Sequence, residues 1–568
     1  MIEESIVLIA DRIAQFTREA IERAQEAGDL PPFEIPGVPV QPPRRAEHGD
    51  MSTSVCMQLA RPARMAPMRI AEIVVQHLDR HALIGEVEVA QPGFLNFTYS
   101  STWLAQQVEE INAAGEAWGR IDVGQGHRYQ VEYGSANPTG PLHVGFGRNV
   151  VLGDAIANVL DAAGYEVERE YYVNDAGTQV QLLGESMYAR YLELLGRKAS
   201  FPEEGYRGDY VIAWAQQVID AKGTRYLDMP AKEAQARLRE LAVDKALRNI
   251  REDCERLGVH YDSWFSEKEL YDSGLFDRIL DELRKGGYVT EREGAVWFTS
   301  PELDADAVLI RSPEVIPDPD KRPTYLASDL AYAWNKLVQR GFERAIYVWG
   351  ADHHGDVPRV EAGVKALGLD PERVVLIVYQ MVSLKRSGED VRMSKRAGEF
   401  VALRELLDDV GPDATRFFLL LRSADSQMEF DVDLAKKQSD ENPVYYVQYA
   451  HARIASVLRT AEERGWEDWS DGDVLLLNHP LELDLIRKMI QLPEVVSRAA
   501  GEMAPHHLCY YAQELASAFH SFYRECRIVS SLPEDTAITK ARLKLASAAQ
   551  HVLANTLHTI GVSAPEQM

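Results

Sequence analysis

The sequence predicts an α/β protein in which a doubly wound parallel sheet is flanked by a small α+β module before it and an all-α bundle after it. Three observations predict this. A strand, a glycine-rich loop, a helix and a second strand follow one another between Tyr129 and Val173, which is the building unit of parallel α/β sheets. Apolar strand-like runs return at RAIYVWG and RVVLIVYQMV. Beyond Asp433 the β signals vanish, and Val447, Ala450, Ile454, Val457 and Leu458 recur at helical spacing.

Each element follows in order. Residues 1–112 open with a helical period, pass through the proline-rich PPFEIPGVPVQPPRR, and reach helices and a glycine-turned strand at QPGFLNFTYS. The segment AAGEAWGRIDVGQGHR, residues 113–128, breaks that texture and marks a boundary. The central domain, 113–432, starts with YQVEY, in which Tyr129, Val131 and Tyr133 share one face. A helix then begins near Gly145, with Val151, Ala155, Val159 and Ala162 at helical spacing, and the strand VEREYYV follows Gly164. Residues 180–290 read as charged helices inserted between two halves of the sheet, and strands resume at AVWFTS and DAVLIRS. Residues 433–568 form the helical bundle.

Composition narrows the function. The 568 residues carry a formal net charge of −27, a field that repels polyanions and argues against a DNA-coating or membrane-surface role while leaving room for a local basic path for RNA. The first 20 residues mix acids and arginines into an apolar stretch, so they read as an amphipathic helix and not as a leader. No apolar run approaches the roughly 20 residues that a membrane span needs. Four dispersed cysteines without a CxxC pair suggest neither zinc nor a disulfide framework, and a reducing cytoplasm is the expected setting.

Two segments carry chemistry. In the loop from Asn137 to Arg148, glycines let backbone approach a ligand, the start of a helix offers amide hydrogens to phosphates, and His143 can donate to a phosphate oxygen. The dinucleotide fingerprint fails, because Gly145-x-Gly147 is followed by Val150 where a third glycine belongs, and there is no Walker loop. The bland alternative is a tight turn with a hydrogen-bonded histidine. The second segment, Val391-Arg-Met-Ser-Lys-Arg-Ala-Gly398, suits a loop that brings Lys395 and Arg396 to a polyphosphate; the alternative is a solvated basic turn. Asp352, His353, His354 and Asp356 form a third cluster, which serves either a metal or the substrates.

The histidine loop and the basic MSK loop together resemble the HIGH and KMSKS signatures of class I aminoacyl-tRNA synthetases. The Asn-Pro-Thr-Gly-Pro lead-in, REYYVNDAGTQ, WGADHHG and the closing LHTIGVSAPEQM are similar to arginyl-tRNA synthetases of bacterial type, and the resemblance spans nearly the whole chain. It implies a Rossmann-like catalytic domain, an N-terminal tRNA-binding module and a helical anticodon-binding domain. It also implies a two-step ligation, in which the arginine carboxylate attacks the α-phosphate of ATP and the adenylate then esterifies the terminal adenosine of tRNA(Arg). ATP with Mg2+ is the expected substrate, zinc is not expected, tRNA is expected to bind before arginine is activated, and the expected state is a monomer.

Site residues follow from the same resemblance. His143 and Lys395 are the catalytic pair; His143, Gly145, Gly147, Gly350, Asp352, Met393, Ser394 and Lys395 meet ATP. Asn137 and His353 hold the α-amino and carboxylate end of arginine, while Glu132, Tyr325 and Asp329 read its side chain. Those residue types suit the task, since a planar, permanently charged guanidinium calls for carboxylates with an aromatic neighbour, and Tyr325 and Asp329 stand at i, i+4 spacing. The chain departs from the family pattern at Phe146, in the slot of a second histidine, and at Arg392, in place of the first lysine. For tRNA, Arg44 and Arg45 supply charge in the N-terminal module. Tyr446, Tyr449 and Arg453 supply stacking faces and a cation in NPVYYVQYAHAR, where Tyr445, Tyr446 and Tyr449 cannot all face one side. The competing readings are a class I synthetase for another amino acid, a small-molecule nucleotidyltransferase and a non-catalytic tRNA-binding relative. The helical C-terminal stretch counts against the second, and His143 with Lys395 against the third.

Overall fold

Five short apolar or alternating segments, each too hydrophobic to face water on both sides, build the centre of the molecule. They are β1 (Arg128–Glu132), β2 (Glu166–Val173), β3 (Ser263–Ser266), β4 (Arg344–Gly350) and β5 (Val374–Tyr379). The computed structural model describes residues 8–316, 323–391 and 401–568. The strands form one parallel sheet in the order β5-β4-β1-β2-β3, so the chain reverses direction of winding between β1 and β4. Open parallel sheets bind ligands at the carboxyl ends of the strands flanking such a reversal. Across it, Tyr347 on β4 stands beside Glu132 on β1, and Glu132 stands beside Glu170 on β2.

Helix α1 (Val144–Ala162) joins β1 to β2 and is buried on nearly every side, as expected of a helix apolar all round. Helix α2 (Tyr325–Trp334) precedes β4 and ends in a π-helical turn, Asn335–Gln339. The stretch after β2 contains three helices, Thr178–Leu194, Asp209–Lys222 and Ala231–Arg256, with an apolar core of their own around Met187, Trp214 and Leu238.

Two details differ from the sequence reading. The edge strand β3 lies inside the stretch expected to be helical; its four residues, SWFS, are too few for a periodic signal. AVWFTS and DAVLIRS do not join the parallel sheet; AVWFTS pairs with DAVLIRS on one side and Val289–Arg292 on the other in a separate antiparallel one. The reason is the short connection between them, which has no room for the crossover that parallel pairing requires.

Before the central sheet, the helix Ile9–Glu26 and the helices Val55–Ala63 and Pro67–Gln76 accompany a four-stranded antiparallel sheet that ends at Phe94–Tyr99. After it come α3 (Pro443–Glu463), α4 (His506–Glu525) and α5 (Thr536–Thr559), with two shorter helices between α3 and α4. The two ends of the chain meet: the Ile9 amide donates to Glu494 at 2.7 Å, and Arg487 pairs with Asp50 at 2.8 Å. The final turn closes on the central domain, where buried Arg416 bonds the carbonyls of Ile560 and Leu257 and pairs with Asp154 on α1 at 2.5 Å. Among the described residues, no helix is long and apolar enough to cross a membrane.

Candidate active site

The loop from β1 into α1 is fixed from three directions. Gly134 leaves β1 at φ +71°, a conformation that favours glycine, and its amide donates to Asn149 Oδ1 at 2.5 Å. Asn149 Nδ2 in turn donates to the Val348 carbonyl at 2.8 Å, so one α1 side chain spans the reversal point from β1 to β4. Tyr171 donates to the Ala136 carbonyl at 3.0 Å, and Tyr210, from the inserted helices, donates to the Thr139 carbonyl at 2.8 Å. Asn137 is half-buried within this frame, and its side chain makes no hydrogen bond among the described residues.

His143 sits at the cap position of α1, its ring edge-on to Phe146 at 4.8 Å. A Cβ on Gly145 would fall 3.0 Å from the His143 ring, so glycine is what lets the imidazole lie over the first turn, where helix amides and dipole favour anions. Gly147 faces elsewhere: a Cβ there would fall 2.8 Å from Leu403, in the contact between α1 and the segment after Ala402. Met393, Ser394 and Lys395 lie outside the described residues. The residue that rejoins the described chain, Val401, accepts from the Val144 amide at 3.3 Å, and Ala402 pairs with His143.

β4 ends at Gly350, and Asp352 stands two residues on, its Oδ1 so close that a Cβ at position 350 would clash with it. The half-exposed His353 ring stands 3.6 Å from Asp352 and 3.7 Å from Asp356, through opposite ring nitrogens. The carboxylates therefore flank the imidazole and do not converge with it on one point. Among the described residues, no group of three His, Cys, Asp or Glu side chains is arranged to hold a metal ion.

The acidic pocket is built where β1, β2, β3 and α2 meet. Glu132 is buried and accepts from Lys336 at 2.6 Å. Asp329, on α2, has no hydrogen bond or ion pair among the described residues. Its carboxyl is held well above the ordinary range, by burial first and then by Glu132, Glu267 and Asp356, with Lys336 opposing. Glu267, directly after β3 and 4% exposed, is pushed up to about 7 by burial, with Asp175 adding to the effect. Tyr325 is half exposed at the start of α2, and burial together with Glu267 raises its phenol. Carboxylates crowded and desolvated in this way attract a cation strongly, because a bound positive charge relieves both penalties.

Sequence reasoning brought Glu132, Tyr325 and Asp329 to this place but missed Glu267, Glu170 and Lys336. A signal for Lys336 was present, since Tyr325, Asp329, Tyr332 and Lys336 recur at spacings of four, three and four. Glu170 is held below its ordinary value: burial pushes it up, but Arg340, Lys336 and Tyr332 outweigh that effect.

Two further clefts hold the residues expected to touch RNA. Arg44 and Arg45 line a cavity of about 550 Å3 in the N-terminal module, with Gln91, Phe94 and Asn96. In the helical bundle, Tyr449 and Arg453 line a cavity of about 800 Å3, with Tyr523 and Met568 among its other walls. Arg453 lies 4.5 Å from the Tyr449 ring and 4.9 Å from the Tyr523 ring. Tyr445 and Tyr449 stack in parallel at 6.0 Å, whereas Tyr446 turns to the core and His520.

Comparison with known proteins covers the same three regions. Family models described as "Arginyl tRNA synthetase N terminal domain", "tRNA synthetases class I (R), catalytic domain" and "DALR anticodon binding domain" match residues 9–99, 107–419 and 447–568. The arginine--tRNA ligase of Dehalococcoides mccartyi is 46% identical over 566 residues, covering 99% of this chain and 100% of that one. The arginine--tRNA ligase of Heliobacterium modesticaldum is 46% identical over 568 residues, covering 99% of each. The fold matches the arginyl-tRNA synthetase structure from Thermus thermophilus with a TM-score of 0.75 at 23% identity, over 99% of this chain and 100% of that one.

Proposed function

Because this chain belongs to the arginyl-tRNA synthetases of bacterial type, we propose a division of labour among its residues for joining arginine to tRNA. The protein is an arginine-tRNA ligase that consumes ATP through an arginyl-adenylate, releasing pyrophosphate and then AMP. ATP carrying Mg2+ on its phosphates lies across the start of α1, with His143 donating to a phosphate oxygen above Gly145. Gly350 and Asp352 flank the adenosine. Lys395, with Met393 and Ser394 beside it, neutralises charge as pyrophosphate leaves. The reaction needs positioning and charge neutralisation more than a protein nucleophile, which is what this residue set offers.

The observation that carries the reading is the acidic cluster beside the reversal point, in which Asp329 has no hydrogen-bond or ion-pair partner among the described residues and is held well above the ordinary carboxyl range. Asp329 and Glu132 take the forked guanidinium, with Tyr325 over its plane, while Asn137 and His353 hold the α-amino and carboxylate end. Arg44 and Arg45 contact the tRNA body, and Tyr449 and Arg453 contact anticodon bases, with Tyr446 packed behind them. The partner is tRNA(Arg), and a single copy of the chain in the cytoplasm performs the reaction; four buried thiols are in keeping with that compartment.

The test is charging of total tRNA with each labelled amino acid in parallel, with Lys395→Ala as control. Uptake of arginine alone, nearly lost in the variant, is expected. Equal charging by the variant would remove the role given to Lys395, and better charging with another amino acid would remove the role given to the pocket.

A further inference from the structure

The strand register creates an electrostatic problem beneath the pocket. Glu132 on β1 stands directly opposite Glu170 on β2, and like charges so placed repel. Glu170 has its own cation, since Arg340 donates to it at 2.9 and 2.6 Å, and Gln130 and Tyr332 add hydrogen bonds. Among the described residues Glu132 has only Lys336, which is fully buried, 2.6 Å from Oε2 and 3.9 and 3.6 Å from the ring centres of Tyr332 and Tyr347. Oε1 of Glu132 makes no hydrogen bond among the described residues. The π-helical turn at the end of α2 carries Lys336 and Arg340 to these two acids, and such turns are frequent at functional sites.

We propose that Lys336 is a positioning residue for arginine selection: it pins Oε2 of Glu132 and leaves Oε1 for the guanidinium. The proposal rests on the reading that those two acids bind the guanidinium. The groups that face the pair are Glu170 and Tyr172 from β2, Glu267 from the end of β3, Asp329 and Tyr332 from α2, Arg340, and Tyr347 and Asp356 from β4 and its following turn. Acids outnumber cations here. Without the ammonium, which opposes the rise, the carboxyl of Asp329 would be held higher still and would take up a proton more readily.

The experiment is aminoacylation by Lys336→Met at saturating tRNA and ATP, from pH 6 to 9. A rise of about tenfold in KM for arginine is expected, as for the loss of one charge-assisted hydrogen bond. KM for ATP is expected to stay unchanged, and the acid limb of kcat/KM for arginine to move to higher pH, so that the deficit narrows as pH rises. Lys336→Arg, which keeps the charge, is expected to hold that limb in place. An unchanged arginine KM or an unmoved limb in Lys336→Met overturns the proposal, as does an equal limb shift in Lys336→Arg. Should Lys336→Met not fold, the pair Glu132→Gln with Lys336→Met, which strands no charge, is compared with Glu132→Gln alone; equal arginine KM values are expected, and a further tenfold rise overturns the proposal. Asp329→Ala separates the two layers. A normal arginine KM there removes the underlying reading, whereas an impaired Asp329→Ala beside a normal Lys336→Met removes this inference alone.

Discussion

Glu267→Gln tests the electrostatics of the pocket through stability. Glu267 is 4% exposed, and burial with help from Asp175 raises its carboxyl from 4.5 to about 7. A raised acid binds its proton more tightly in the folded than in the unfolded chain. Stability therefore falls as pH climbs from 4.5 through 7, and the full penalty stands above 7. A shift of that size corresponds to at most about 3 kcal/mol, and relaxation around the buried carboxylate reduces the expected value to about 1–2 kcal/mol. Glutamine keeps the shape and cannot ionise. Glu267→Gln should accordingly match the parent protein below pH 4.5 and exceed it by about 1–2 kcal/mol at pH 8, read by urea unfolding or as a higher Tm. Saturating arginine at pH 8 should stabilise the parent more than the variant, because the guanidinium offsets a penalty that only the parent carries. A difference independent of pH, or a variant less stable at pH 8, would refute the reasoning.

Asp329→Asn should lower kcat/KM for arginine by about 100- to 1000-fold with KM for ATP unchanged, since truncating one half of a buried charge pair costs about 3–4 kcal/mol; steady-state charging measures it. Gly561→Ala combines φ +70° with a Cβ that would fall 2.1 Å from Arg416 Nη2, displacing a guanidinium that bonds two carbonyls and Asp154. A loss of about 3–5 kcal/mol is expected, read as a lower Tm, and an unchanged Tm would show that Arg416 has room to move.

The legible parts of this molecule were those in which function is contiguous in sequence. The Asn137 to Arg148 loop pointed to a candidate phosphate site because glycines, histidine and helix start lie within twelve residues. Tyr325 and Asp329 announced a face because helical spacing is short. Glu132 gave only half its meaning: its neighbours Glu170 and Lys336 come from β2 and the turn after α2, and strand register is not written locally. The edge strand β3 was hidden by its brevity, and the three tyrosines of α3 were separated only by packing, which turns Tyr446 inward and leaves Tyr449 at a cleft.

The closing turn has a mechanical consequence. Ile560 delivers its carbonyl to Arg416, Ser563 and Asp413 bond each other, and Pro565 accepts from His451, so residues 560–565 tie the central domain to the final bundle. Without that turn the guanidinium of Arg416 would keep Asp154 and Leu257 but lose its third anchor. Any movement of the bundle against the central domain must therefore break charge-assisted hydrogen bonds to a buried cation, which couples the two mechanically.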